Sequence, residues 1–182
     1  MDKIIKVLGF TGSLRKGSYN KAALRAAKEL MPEGAALDIF DLEGIPFLNE
    51  DLEAKGIPEV VQRFKNKISE ADVLLIATPE YNYSIPPVLK NALDWASRGE
   101  NSPLIGKPGA IMSASTGMFG GARAQYHLRQ VCVRLNILLL NQPEVFIANA
   151  ATKFDEKGEL IDERTRNSIT KLLKLLTTPG GY

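Results

Sequence analysis

Gly12-Ser13-Leu14-Arg15-Lys16-Gly17-Ser18-Tyr19-Asn20 gathers hydroxyls, an amide, two cations and two glycines in one short stretch. An oxyanion wants several donors at once. Ser13, Ser18 and Asn20 carry such donors, and Arg15 offers a charge-assisted contact. The apolar run Ile4–Phe10 precedes the stretch, and a helical pattern starts at about Ser18. A strand feeding a glycine loop and then a helix N-terminus presents free amides and a positive dipole end to an anion. Gly12 and Gly17 have the glycine spacing of a nucleoside-triphosphate loop. However, Ser18 stands where that motif needs lysine, and Tyr19 where it needs a small hydroxyl for magnesium. The dinucleotide fingerprint fails as well, because Gly9, Gly12 and Gly17 have the wrong intervals. A single terminal phosphate is what remains. Taken alone, the loop is also compatible with a solvated turn capped by serine.

Two further loops carry groups suited to binding. Thr78-Pro79-Glu80-Tyr81-Asn82-Tyr83-Ser84-Ile85-Pro86-Pro87 combines three prolines, which restrict the backbone, with two flat tyrosines. A planar heteroaromatic ligand fits such a platform, and so does a turn with partly buried tyrosines. Ser113-Ala114-Ser115-Thr116-Gly117-Met118-Phe119-Gly120-Gly121 offers small hydroxyls and close-approach glycines. It reads equally as a plain strand-to-helix connection. Glu80 has two readings, a proton relay or a conformational contact. His127, the only histidine, lies on a helix near Arg123 and Tyr126 and reads as structural or exposed. Cys132 shares a helix face with Leu128, Val131 and Leu135, which points to an inert buried thiol. No group of residues has metal-ligand spacing.

The elements that must position these loops follow from periodicity. Strands are expected at Ile4–Phe10, Ala36–Asp41, Val73–Ala77, Ala110–Ala114 and Val145–Ile147. Val73–Ala77 is apolar on both faces, as the centre of a parallel sheet requires. Helices are expected over 18–31, 58–69, 86–97 and 121–135, and a last one is marked by Ile169, Leu172, Leu173 and Leu176. Residues 42–57, with Gly44, Pro46 and Gly56, read as a loop. Trp95, at helical spacing with Val88 and Ala92, reads as core. This alternation implies an α/β chain with right-handed crossovers. The expected architecture is a flavodoxin-like doubly wound five-stranded parallel sheet, order 2-1-3-4-5, with helices on both faces. Ligands bind beyond the strand carboxyl ends in such sheets. The three loops above all follow strands, so they converge there. One domain is expected over 1–178, with a flexible tail at 179–182.

Composition narrows the function classes. The chain has 182 residues, 45% of them hydrophobic, enough for a sizeable core. Its formal net charge is +2, with no block of roughly five or six like charges, so neither nucleic acid nor a membrane surface is an expected partner. One cysteine gives no internal disulfide framework, and no signal-peptide pattern or apolar stretch of about 18 residues is evident. A cytoplasmic protein is expected.

Taken together, the segments Gly12–Asn20, Pro79–Pro86, Lys90-Asn91-Ala92-Leu93-Asp94-Trp95 and Ser115-Thr116-Gly117 with Gly120-Gly121 resemble the NADPH-dependent FMN reductase family. That family of flavodoxin-like flavoproteins includes quinone, azo-dye and chromate reductases. The likeness covers nearly the whole chain, apart from the Gly-Gly-Tyr tail. It implies bound FMN, with NADPH or NADH as co-substrate and a small-molecule electron acceptor. By position, Ser13, Arg15, Ser18, Tyr19 and Asn20 would hold the phosphate end. Pro79, Glu80, Tyr81, Asn82 and Tyr83 would line the isoalloxazine, and Ser115, Thr116 and Gly117 would meet its pyrimidine edge. The ring carries the hydride chemistry in such enzymes, so no catalytic side chain is expected, and alternating, ping-pong binding follows from one shared face. A homodimer or homotetramer is expected by the same likeness. The competing expectation is a flavodoxin-type electron carrier without nicotinamide turnover. Such carriers tend to be strongly acidic, which a net charge of +2 argues against.

Overall fold

The apolar run at Val73 forms the centre of the sheet in the computed structural model, which describes residues 3–178 and residue 180. Here β3 (Val73–Thr78) is buried along its whole length. It is flanked by β1 (Ile5–Thr11) and β4 (Pro108–Ala114), with β2 (Ala35–Phe40) outside β1. All pairings are parallel, and the order is the expected β2-β1-β3-β4-β5. The fifth position differs from the sequence expectation of one strand. Two short strands share it: β5 (Leu138–Leu139) pairs with Pro108 and Gly109, and β6 (Val145–Ile147) pairs with Met112–Ala114. Pro143 lies between them and has no N–H to offer a ladder, so the edge is interrupted there.

Side-chain alternation splits β1, β3 and β4 between two cores. Val7, Leu75 and Met112 join α1 (Tyr19–Glu29) and α6 (Glu163–Leu176) on one face. Leu8, Phe10, Ile76 and Ile111 join α3 (Glu59–Glu70), α4 (Pro87–Ala96) and α5 (Ala122–Leu135) on the other. Each fully buried Leu, Ile or Phe contributes about 1.5–3 kcal/mol relative to exposure. The loop expected at 42–57 contains a short helix, α2 (Glu50–Glu53), whose Asp51 amide is capped by Asn49. The last helix starts well before Ile169, because Asp162 accepts from the Thr165 amide and caps it. Trp95 is fully buried, and its indole N–H donates to the Pro46 carbonyl at 2.8 Å. Asn91 clasps the same segment, donating to the Pro46 carbonyl and accepting from the Leu48 amide. Residues 179, 181 and 182 of the expected tail lie outside the described residues.

Candidate active site

The donor-rich part of the site grows from the start of α1. Ser18 caps the helix, its Oγ accepting from the Lys21 amide at 3.3 Å, so the hydroxyl hydrogen stays free to donate outward. The Ser18 amide closes the loop onto the Arg15 carbonyl. Among the described residues, the first-turn amides of Tyr19 and Asn20 have no backbone partner. Arg15 lies over the Tyr19 ring at 5.6 Å, and that ring packs against Phe154 at 5.5 Å. The guanidinium therefore rests on a two-ring stack at the mouth of the loop. Gly12 serves a different purpose from anion contact. A Cβ there would come within 2.3 Å of Pro86 Cγ and 2.7 Å of Leu89 Cβ, so the first loop can touch α4 only as glycine.

Asn20 differs from its expected role as a phosphate donor. Its side chain is buried, with Oδ1 accepting from the Ala114 amide and Nδ2 donating to the Ala114 carbonyl, both at 2.9 Å. It straps the start of α1 to the end of β4, bringing the first and third loops together.

At the other end, Tyr81 and Ser84 exchange backbone hydrogen bonds across a tight turn. Asn82 and Tyr83 occupy its two left-handed positions, φ 48° and 68°. Asparagine accepts that conformation readily, whereas tyrosine adopts it only under tertiary constraint. His127 Nδ1 contacts Ser84 Oγ at 3.1 Å, which accounts for this histidine as a brace of the turn. Glu80 is spoken for as well. Its Oε2 accepts from the Arg123 and Ala124 amides at 3.1 and 3.3 Å, and Oε1 accepts from Arg123 Nη1 at 3.2 Å. Arg123 in turn lies 4.0 Å from the Tyr83 ring centroid and 4.2 Å from that of Phe119. Sequence reading placed Arg123 only near His127. A signal was present, however: α5 opens at Gly121, which has no side chain to cap it, so an acceptor had to come from elsewhere.

The third loop is pinned below and behind. Ser113 Oγ donates to the Gly120 carbonyl and accepts from buried Gln125 Nε2. Gly120 and Gly121 have φ values of 58° and 86°, and a Cβ on either would collide with the 146–148 backbone or with Ser113. The Ser115 amide donates to the Ile147 carbonyl, and Ser115 Oγ accepts from the Gly117 amide.

These loops enclose a cleft of about 170 Å³ at the carboxyl ends of β1, β3 and β4. Ser13, Arg15, Ser18, Tyr19 and Asn20 line it from the first loop, Pro79, Glu80 and Tyr81 from the second, and Ser115 and Thr116 from the third. Ala114 is an addition to the expected set. Asn82, Tyr83 and Gly117 are not among the lining residues; the first two form the turn tip, where Tyr83 faces Arg123. A larger hollow of about 470 Å³ lies beside Arg98 and Arg134, where Glu53 already engages Arg98 and none of the three loops contributes. Free donors at one end and an aromatic turn at the other fit a ligand that joins a phosphate to a flat ring. Burial pushes the Cys132 thiol up to about 12, so it is no nucleophile. Among the described residues no three His, Cys, Asp or Glu side chains cluster as metal ligands would, and no helix is long and apolar enough to cross a membrane.

Comparison with known proteins supplies an independent reading. Residues 5–152 match the model of the NADPH-dependent FMN reductase family. An NAD(P)H-dependent FMN reductase of Pseudomonas aeruginosa is 54% identical over 176 residues, covering 97% of this chain and 95% of that protein. An NAD(P)H:quinone oxidoreductase of Solanum tuberosum is 49% identical over 180 residues, covering 95% and 91%. Among solved structures, the flavoenzyme NAD(P)H:acceptor oxidoreductase FerB of Paracoccus denitrificans superimposes with a TM-score of 0.87. It is 32% identical and covers 95% of both chains.

Proposed function

The chain belongs to the NADPH-dependent FMN reductase family, and from that premise we propose how its own residues carry the reaction. It is an FMN-dependent NAD(P)H oxidoreductase. When bound, FMN supplies the two-electron chemistry, taking a hydride from NADPH or NADH and releasing electrons to an acceptor. Ser13, Ser18 and Arg15, with the free amides of Tyr19 and Asn20, hold the phosphate. Tyr19 acts as the platform under Arg15, and Asn20 fixes where that platform stands. Pro79, Glu80 and Tyr81 line one side of the ring through their backbone, shaped by the Asn82–Tyr83 turn. Ser115 and Thr116 face its pyrimidine edge, where their hydroxyls can stabilise negative charge, and Gly117 holds Ser115 in place through its amide. No side chain is required to move a proton. The likeness to a plant quinone oxidoreductase favours quinones as acceptors. Nucleotide and acceptor use one open face in turn, which gives a ping-pong order.

A second copy of the chain completes the site, as a homodimer or homotetramer. Met118 and Phe119 are 74% and 52% exposed on the third loop, close to the ring end of the cleft, and a neighbouring subunit would cover them. The setting is cytoplasmic.

The observation that carries this reading is the meeting of a donor-rich helix start and an aromatic turn in one cleft. FMN-loaded protein should be bleached by excess NADPH or NADH with no partner protein added, as followed by stopped-flow absorbance. If the flavin binds and stays oxidised, the chain is an electron carrier instead. Steady-state rates across quinones, azo dyes, chromate and free flavin then rank the acceptors.

A further inference from the structure

We propose that Glu80 is a positioning residue that sets the spacing between the two walls of the ring end of the cleft. Its neighbours Pro79 and Tyr81 line one wall. Its carboxylate reaches the first turn of α5, which begins immediately after the third loop that forms the other wall. Gly121 leaves that turn without a side-chain cap, and a carboxylate at a helix N-terminus satisfies both the orphan amides and the dipole. Glu80 is 13% exposed, so water competes little for these bonds. The contact to Arg123 Nη1 extends the strut to the guanidinium held between Tyr83 of one loop and Phe119 of the other. One carboxylate thus ties both loops, with its weight on the two backbone amides.

This inference rests on the reading that the cleft holds FMN, and it separates reach from charge. Glu80→Gln keeps an oxygen at the right distance for the two amides and loses the charge. Glu80→Asp keeps the charge and withdraws it by one methylene. FMN titration followed by flavin fluorescence should show affinity within about threefold of the parent for Glu80→Gln. With the two walls no longer held at their spacing, Glu80→Asp and Glu80→Ala should weaken FMN about tenfold. The visible circular dichroism of the bound flavin should follow the same split, because it reports how the ring is held. A residue that merely caps a helix would lower the melting temperature of the apoprotein and leave both flavin readouts unmoved in folded protein. Unchanged affinity and dichroism in Glu80→Asp overturn the proposal, as does a Glu80→Gln protein that behaves like Glu80→Asp. If Glu80→Ala does not fold, the Asp and Gln pair decides. Parent protein that takes up no FMN overturns the functional reading instead, and this control is run first.

Discussion

At the end of the cleft proposed to take the phosphate, the groups come from one unbroken stretch, Ser13 to Asn20, and a helix start arranges them. At the ring end they come from two loops, held together by contacts between residues far apart in the chain, such as Glu80 with Arg123 at a separation of 43. The first end draws its donors from neighbours in the chain, although Tyr19 leans on Phe154 and Asn20 on Ala114. The second end draws even its lining from two loops, which β3, β4 and α5 hold side by side.

The sharpest way to break this comparison is Asn20→Ala, because Asn20 joins the two ends. It would leave the buried Ala114 amide and carbonyl unpaired, and each unpaired group costs about 1–3 kcal/mol. A loss of about 3 kcal/mol lowers the melting temperature of the apoprotein by roughly 6–12 °C in a chain of this size. A fall of under about 2 °C by calorimetry would show that the two ends are independent. Arg15→Ala sharpens the comparison from one side. Removing a charge-assisted phosphate contact should weaken FMN binding by about tenfold to a hundredfold. The apoprotein melt should stay in place, because Arg15 lies on the surface of the Tyr19 ring. An unchanged dissociation constant in a fluorescence titration would remove Arg15 from the site.

The smallest effect concerns neither end. The Lys153 ammonium, helped by the Thr165 hydroxyl and amide, holds the Asp162 carboxyl down at about 2 from its usual 3.8. A lowered folded-state value gives stability that is present above about pH 4 and is lost as pH falls towards 2. Asp162→Asn keeps a good capping group and loses the ion pair, so its melting temperature should fall less steeply over that acid range. FMN affinity at neutral pH should not move. Parallel acid profiles for the two proteins would remove Asp162 from the account.

The same division decides what the sequence made legible. The strands, the helix faces and the place of the glycine loop between β1 and α1 follow from periodicity and glycine placement, which operate between near neighbours; the sheet order follows from matching their alternation to a doubly wound fold. Val73–Thr78 is buried on both faces, as its composition requires. The role of Gly12 was not legible, because Pro86 and Leu89 approach it only once α4 is seated. Asn20 looked like one more donor in a donor-rich loop, because its partner Ala114 lies 94 residues away. Glu80 keeps two readings in the sequence for the same reason, and Arg123 is marked there only by the uncapped Gly121 before it. Val145–Ile147 lies where its apolar run puts it, whereas the two-residue β5 before Pro143 is too short for any periodicity to mark.

That split edge has a consequence outside redox chemistry. A foreign strand joins a sheet by pairing with a continuous row of open amides and carbonyls. On this side β5 has two residues and β6 three, with Pro143 between them, and the β6 carbonyls already accept from Gln125, Ala148 and Ser115. Such a ragged border gives another chain little to grip, so at this edge the sheet resists edge-to-edge aggregation even while crowded among copies of itself.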